Sequence, residues 1–276
     1  MNLQQKKDNS FLATEPLGRL LLKLSLPTVT AQVINMLYNI VDRIYIGHIP
    51  ETGALALTGV GVCMPLIMIV SAFAALVGNG GAPRASIFMG KGDKESAEQT
   101  LGNCFTTQIV VSLLLTLILF TGNKSFLMAF GASENTIPYA VAYMNIYSLG
   151  TIFVQLTLGM NAFITAQGFA KTSMLSVLVG AASNIILDPI FIFALHMGVR
   201  GAALATIVSQ ALSCTWVLHF LMGKKSYLKI HRCNMKLKKD IILPSLALGL
   251  STFIMQSSES IISVCFNSSL LKYGGD

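Results

Sequence analysis

The chain has 276 residues, of which 53% are hydrophobic and only 11% charged, with a net charge of +7. So few charges, clumped between apolar stretches of about 20 residues, exclude a soluble globular domain and place the chain among polytopic membrane proteins. The basic excess lies mostly in segments between the apolar runs, so it reads as a topology signal and argues against nucleic acid as a partner.

Residues Met1 to Glu15 are polar, and the apolar run that follows is too long for a cleavable signal peptide and lacks a small-residue cleavage site. That run, Leu20 to Ile46, is the first expected span. It carries a polar stripe of Thr28, Gln32, Asn35, Asn39 and Asp42, which at 100° per residue falls within roughly 80° of arc. One face of a membrane helix is therefore wet or set against protein, and its last member is an acid. An acid at membrane depth is a candidate functional residue.

A short loop without Lys or Arg, Gly47 to Gly53, leads to a second span over Ala54 to Gly80, with Pro65 inside it. Pro65 removes the donor that would pair with the Gly61 carbonyl, so a kink is expected. A connector from Gly81 to Gln99 holds Arg84, Lys91 and Lys94. The third span covers Thr100 to Thr121. The fourth covers Ile137 to Thr165, with Pro138 in its first turn. The fifth covers Thr172 to Leu195, and the sixth Gly201 to Met222. A basic linker, Lys224 to Lys239, precedes a seventh apolar run, Ile241 to Leu271, and the sequence closes on Tyr273-Gly-Gly-Asp276. The five cysteines show no CxxC or disulfide-like spacing and four lie in apolar runs, so they read as small apolar residues.

Loop charge sets the orientation. The N-terminal tail and the second, fourth and sixth connectors carry most of the Lys and Arg, including all seven basic residues from Lys224 to Lys239. The N-terminus is therefore expected on the cytoplasmic side of the cell membrane. The resulting division is a cytoplasmic tail (1–16), a six-helix transmembrane lobe (17–222), a basic cytoplasmic linker (223–240) and a seventh helix opening a second lobe (241–276). The linker reads first as a topology anchor, with anionic lipid as an alternative partner.

Three acids lie within the spans: Asp42, Asp188 and Glu259. Counted from the cytoplasmic starts at about 1.5 Å per residue, they sit roughly 28, 26 and 28 Å along their helices, all in the outer half of the bilayer. Thr206 on the sixth span reaches the same layer. Asn184 lies four residues before Asp188 on one helical face, and Gly180 continues that face and admits a close helix neighbour. Pro189 loosens the helix beside Asp188. Carboxylates, an amide oxygen, a hydroxyl and strained carbonyls at one depth are hard ligands, suited to a proton or a small alkali cation. The alternative is that Asp42 and Asp188 serve only as polar glue between helices. Arg43, adjacent to Asp42, points about 100° away and is expected at the outer surface.

Tyr143 and Asn161 are 18 residues apart, five helical turns, and so point the same way, with Tyr147 close to that line. With Tyr38 and Asn39 on the first span they form a candidate substrate cavity of aromatic and amide groups, suited to a bulky organic cation. Packing or interfacial roles for the tyrosines fit the spacing equally well.

The seventh run repeats the first. Leu243-Pro244 matches Leu26-Pro27, and the same offset carries the polar stripe onto Ser245, Gly249, Thr252, Gln256 and Glu259. Internal repeats in membrane proteins point to transporters with the site between or within the repeats. Both copies start on the same side after six spans, so they are parallel repeats, and the sequence is expected to be a truncated one that ends where an eighth span should begin.

The Leu26-Pro27 opening, Asn39-Ile-Val-Asp-Arg-Ile-Tyr-Ile-Gly47, the connector Arg84 to Gly90, Asn184-Ile-Ile-Leu-Asp-Pro189 and Gly201-Ala-Ala-Leu-Ala-Thr206 together resemble the multidrug and toxic compound extrusion (MATE) family. The resemblance covers nearly the whole chain from Leu17. It implies an all-α polytopic fold of two pseudo-symmetric six-helix lobes, of which this chain holds the amino-terminal lobe and the first helix of the second. It implies a secondary transporter rather than an enzyme, with no cofactor, exporting organic-cation drugs or toxins in exchange for H+ or Na+. The family's amino-lobe cation site maps onto Asp42, Asn184, Asp188 and Thr206, a set that would also hold Na+ as a metal ion. Its bending proline maps onto Pro27, with Pro189 a second candidate hinge. Its cavity residues map onto Tyr143 and Asn161, and its carboxy-lobe acid onto Glu259. Three other readings stand beside this one. A lipid-linked oligosaccharide flippase of the wider superfamily should show a basic cavity. An intramembrane aspartyl protease should show a Gly-x-Gly-Asp motif within a span. The third is a non-functional fragment.

Overall fold

The computed structural model describes residues 16–274, and these form helices joined by short turns, with no strand among the described residues. Expectations about the tail up to Glu15, Lys6 and Lys7 included, and about the last two residues lie outside the described residues. The elements are α1 (Leu17–Gly47), α2 (Gly53–Gly90), α3 (Lys94–Ala129), α4 (Ile137–Leu149), α5 (Thr151–Ala166), α6 (Ala170–Pro189), α7 (Val199–Met222) and α8 (Lys239–Gly274). Six of these helices are long and apolar enough to cross a bilayer, and α4 with α5, bent by 58°, makes a seventh if the pair is one span. The chain is a multi-pass membrane protein.

Several boundaries differ from the sequence expectation, the third helix among them, which runs on past Thr121 to Ala129. The second span does not stop at Gly80 but runs on to Gly90, so the connector shrinks to the turn before Lys94. The reason is packing. Gly81 has no side chain because Cys104 of α3 and Phe163 of α5 occupy that space, and Ala82 and Ala85 are buried on the same extension. The Gly80-Gly81 pair therefore serves close helix contact and not chain reversal. α3 then starts early because Asp93 caps it, accepting a bond from the Ser96 amide at 3.0 Å. The Ser96 side chain, and after it this amide, hold the exposed Asp93 carboxyl below the usual carboxylate range.

The fourth span, expected as one helix, is broken at Gly150. Thr116 of α3 donates to the Ser148 carbonyl at 2.9 Å, and Thr151 donates to the Tyr147 carbonyl. Side chains thus satisfy carbonyls at the break, as a membrane interior demands. Gly150 itself faces Ile207 of α7 so closely that an added methyl would collide with it.

The fifth span loosens at its end, as Pro189 suggests. Ile190–Ala194 forms a π-helical turn, with Leu195 N–H donating to the Ile190 carbonyl at 2.9 Å. Single π turns of this kind cluster at functional sites.

α2 is the central post. Its N-terminal half joins a buried cluster of Val60, Leu66 and Val70 with Met144 and the two tyrosines of α4. Its C-terminal half joins Val77 to Leu101, Met160, Phe163 and Leu221. Between the clusters two buried glutamines tie neighbours to it: Gln155 of α5 donates to the Val70 carbonyl at 2.7 Å, and Gln108 of α3 donates to the Ala74 carbonyl at 2.9 Å. α8 crosses α2 at backbone contact. An added Cβ on Gly80 would strike the Ser245 carbonyl, and one on Gly249 would strike the Leu76 carbonyl. This explains why Gly249 stands where the repeat places a polar residue in α1. Farther along, Ser260 donates to the Pro65 carbonyl at 2.9 Å, and Phe73 meets Phe253 edge to face at 5.0 Å.

The basic linker is a fitted strap, with a 3-10 turn at Arg232–Met235. The Gln167 side-chain oxygen accepts from Ser226 Oγ at 3.0 Å and from the amides of Tyr227 and Leu228 at 2.9 Å each. Leu228 is fully buried. Asn103 and Thr106 of α3 donate to the carbonyls of Asn234 and Met235. Glu98 accepts from the Lys229 amide and pairs with Lys94 and His231. Replacing Gln167 with Leu keeps the volume but strands buried donors, at about 1–3 kcal/mol for each unpaired group. Limited trypsin cleavage within the strap is expected to accelerate about tenfold or more, and an unchanged digestion rate would contradict this fastening.

Candidate functional site

The polar stripe of α1 borders two neighbouring cavities. Asn39 and Asp42 line a cavity of about 180 Å³, the outer one in the orientation expected from loop charge, together with Tyr38, Tyr143, Tyr147 and Thr206. Thr28 and Gln32 line an inner cavity of about 390 Å³ with Asn161 and Gln256. Asn35, Ser71 and Leu158 border both.

Asp42 and Asp188 come together at the top of this system. α1 lies along α6, and Asp188 is fully buried while Asp42 is 8% exposed. Their carboxyls lie within hydrogen-bonding reach of each other. Asn184, one turn before Asp188 on the same face, donates from Nδ2 to Asp188 Oδ1 at 3.2 Å. Three buried acceptors in this group, Asp42 Oδ1, Asp188 Oδ2 and Asn184 Oδ1, have no donor among the described residues. Buried acceptors of this kind are costly unless something supplies positive charge or a proton. Two adjacent carboxylates are a fitting place for either.

Thr206 stands beside the aromatic wall. It lines the same cavity as the Tyr143 side chain, and Tyr143 stacks on Tyr147 with ring centroids 6.2 Å apart. Gly180 lies against Ser213 of α7, which brings α6 and α7 close enough to present Asn184 and Thr206 to one small space. The fold thus gathers Asp42, Asn184, Asp188 and Thr206 at one level, with Tyr38, Asn39 and Tyr143 beside them.

Other residues fall elsewhere. The 58° bend at Gly150 breaks the five-turn spacing, so Asn161 lies in the inner cavity, apart from Tyr143. Its Nδ2 donates to the Ser173 carbonyl at 3.4 Å, and its Oδ1 is buried without a donor. Glu259 is exposed on α8 and does not line the cavities that Asp42 and Asn184 border. Arg43 is exposed and borders the outer cavity without an ion pair to Asp42 among the described residues. Pro27 is buried within an unbroken α1. Ser209 and Gln210 carry further orphaned oxygens beside the acid pair. Their signal was the polar spacing Thr206, Ser209, Gln210, Ser213 on one face of α7. Among the described residues no group of His, Cys, Asp and Glu could hold a transition metal.

This architecture has known relatives. The MatE family model matches residues 27–190. Multidrug export protein MepA of Staphylococcus haemolyticus is 27% identical over 250 residues, covering 91% of this chain and 55% of that protein. The protein of the same name from Staphylococcus aureus is 22% identical over 264 residues, 96% of this chain and 58% of that one. Among solved structures, the MATE multidrug transporter DinF-BH superposes with a TM-score of 0.90 at 36% identity, over 95% of this chain and 58% of that chain. A MOP superfamily transporter from Pyrococcus furiosus superposes with a TM-score of 0.86 at 26% identity, over 97% and 59%. The chain spans a little over half the length of these relatives. Their names are those of transporters, which sets the protease reading aside. With the family model matching more than half of its residues, the chain belongs to the MATE family of membrane transporters.

Proposed function

We propose that this chain carries the coupling half of a secondary transporter that exchanges H+ or Na+ for an outgoing organic cation across the cell membrane, with its N-terminus in the cytoplasm. The observation that carries the reading is the buried acid pair: Asp42 and Asp188 in mutual reach, with donorless oxygens on both and on Asn184. An incoming cation or proton would sit between α1 and α6, with Asn184 and Thr206 completing its oxygen ligands. The tyrosine-lined cavity that shares Asp42 would take the organic cation, its rings facing the charge.

Coupling follows from shared walls. With the pair empty, two carboxylates repel and α1 is pushed from α6; with the ion bound, they are drawn together. Tyr143 would feel the change because it lines the same cavity as Asp42 and Thr206. Exchange needs only that ion and drug favour different arrangements of the same helices. Pro27 in α1 and Pro189 beside the π turn are the positions where those helices would flex. In this reading, residues 17–222 form one lobe, 223–240 a cytoplasmic linker and 241–276 the start of a second lobe, with Glu259 on its first helix. An acidic cavity favours an organic cation over a pyrophosphate-linked sugar.

The test is efflux of a fluorescent organic cation from vesicles holding the full-length protein that contains this chain. An imposed inward Na+ or H+ gradient should drive export, and collapsing that gradient should stop it. No export under either gradient would refute the reading.

A further inference from the structure

A smaller cavity opens beside the acid pair, between α6 and α7, with Asn35 and Tyr38 of α1 on its flank. Its volume of about 40 Å³ exceeds the roughly 10–15 Å³ that one water-sized occupant requires. Asn184 is at its Asp188 end. Ser209 and Gln210, one turn from Thr206 toward Met222, form its wall. Below them Ser213 donates to the Ser176 carbonyl at 2.8 Å and closes the floor. Gly180 permits this closeness, since a methyl there would meet the Ser213 hydroxyl.

The chemistry of the lining is specific. Asn184 Oδ1, Ser209 Oγ and Gln210 Oε1 are all buried and have no hydrogen-bond partner. Asn184 is 2% and Ser209 3% exposed. The Gln210 backbone is fixed by Thr157, which donates to its carbonyl at 3.3 Å, so the side chain starts from a held position. Amide and hydroxyl oxygens do not hold a bare proton near neutral pH. They do coordinate a small alkali cation through their dipoles, and a divalent ion would require more carboxylate than the wall supplies.

We propose that this cavity is a second cation position, one helical turn from the Asp42–Asp188 pair, that holds a partly dehydrated Na+ through Asn184, Ser209 and Gln210. It rests on the acid pair being an ion site and extends it: the ion steps from charged to neutral oxygens, sharing Asn184, on its way past α7. A neutral site binds more weakly than a charged one and so allows the ion to leave.

The experiment measures ²²Na+ binding to the purified full-length protein, with choline replacing unlabelled Na+ as the inert salt, in variants that elute as wild type on size exclusion. D42N/D188N should lose the tighter component and keep a weaker one. Adding S209A/Q210L should remove the weaker one, while adding Q210E instead should tighten it by about tenfold, because a carboxylate then faces the ion. The proposal is overturned if the D42N/D188N protein binds Na+ equally with and without S209A/Q210L, or binds none with or without Q210E. Wild-type affinity that survives D42N/D188N unchanged refutes the acid-pair reading alone, since the Ser209 and Gln210 variants are read independently of it.

Discussion

Asp42→Asn or Asp188→Asn in the full-length protein is expected to lower gradient-driven efflux of a fluorescent cation at least about tenfold without lowering the melting temperature. Asparagine matches aspartate in shape, so the helices keep their contacts. The lost property is the negative charge that would attract H+ or Na+. Each substitution also brings an amide donor into reach of a donorless oxygen on the partner carboxylate. Relief of one unsatisfied buried acceptor is worth about 1–3 kcal/mol, so the melting temperature should hold or rise. A purely structural role predicts the reverse, with unfolding at lower temperature and efflux falling only in proportion to the protein lost. Near wild-type efflux in both variants would remove the coupling role.

The second large effect concerns the crossing of α2 and α8. Gly80→Ala and Gly249→Ala each place a methyl against a backbone carbonyl of the other helix, and a backbone carbonyl cannot rotate aside as a side chain can. Overpacking of this kind costs about 1–3 kcal/mol, and more where backbone must shift. Each variant should lower the melting temperature of the purified protein and expose α8 to proteolysis. Because both act on one crossing, the double variant should cost less than the two single effects combined. Gly18→Ala and Gly61→Ala are the controls: a Cβ there meets nothing within 4 Å, and a helical Ala in place of Gly is stabilising on its own. Equal melting temperatures for the crossing variants and the controls would contradict the close approach.

The spans were legible because apolar length is a one-dimensional property, and the matching depth of Asp42 and Asp188 followed from helix rise alone. Periodicity along α1 also placed the stripe, whose members line the cavities from Thr28 to Asp42. What was not legible depends on neighbours. Gly81 reads as a turn signal until Cys104 and Phe163 are seen filling its space. Gly150 reads as an ordinary membrane glycine until Thr116 takes the Ser148 carbonyl from another helix. Tyr143 and Asn161 share a face only on a straight helix, so one break separated them. Glu259 matches Asp42 in register, yet register does not fix which neighbour a face meets, and here α8 turns its small residues to α2. Ser209 and Gln210 were visible as polar spacing but gained meaning only from their unpartnered oxygens.

The strap bound at Gln167, Asn103 and Thr106 has a mechanical consequence. A connection of this length would ordinarily be slack, free to absorb a displacement of whatever it joins. Here its middle is bolted to α3 and to the turn between α5 and α6, and Arg84 of α2 holds the Asp240 carbonyl at the start of α8. No loose rope remains between α7 and α8. Any swing of α8 must therefore be taken up as flexure within α8 itself, about Pro244, or by snapping one of these fastenings, so the stiffness of the strap governs how far the helix travels.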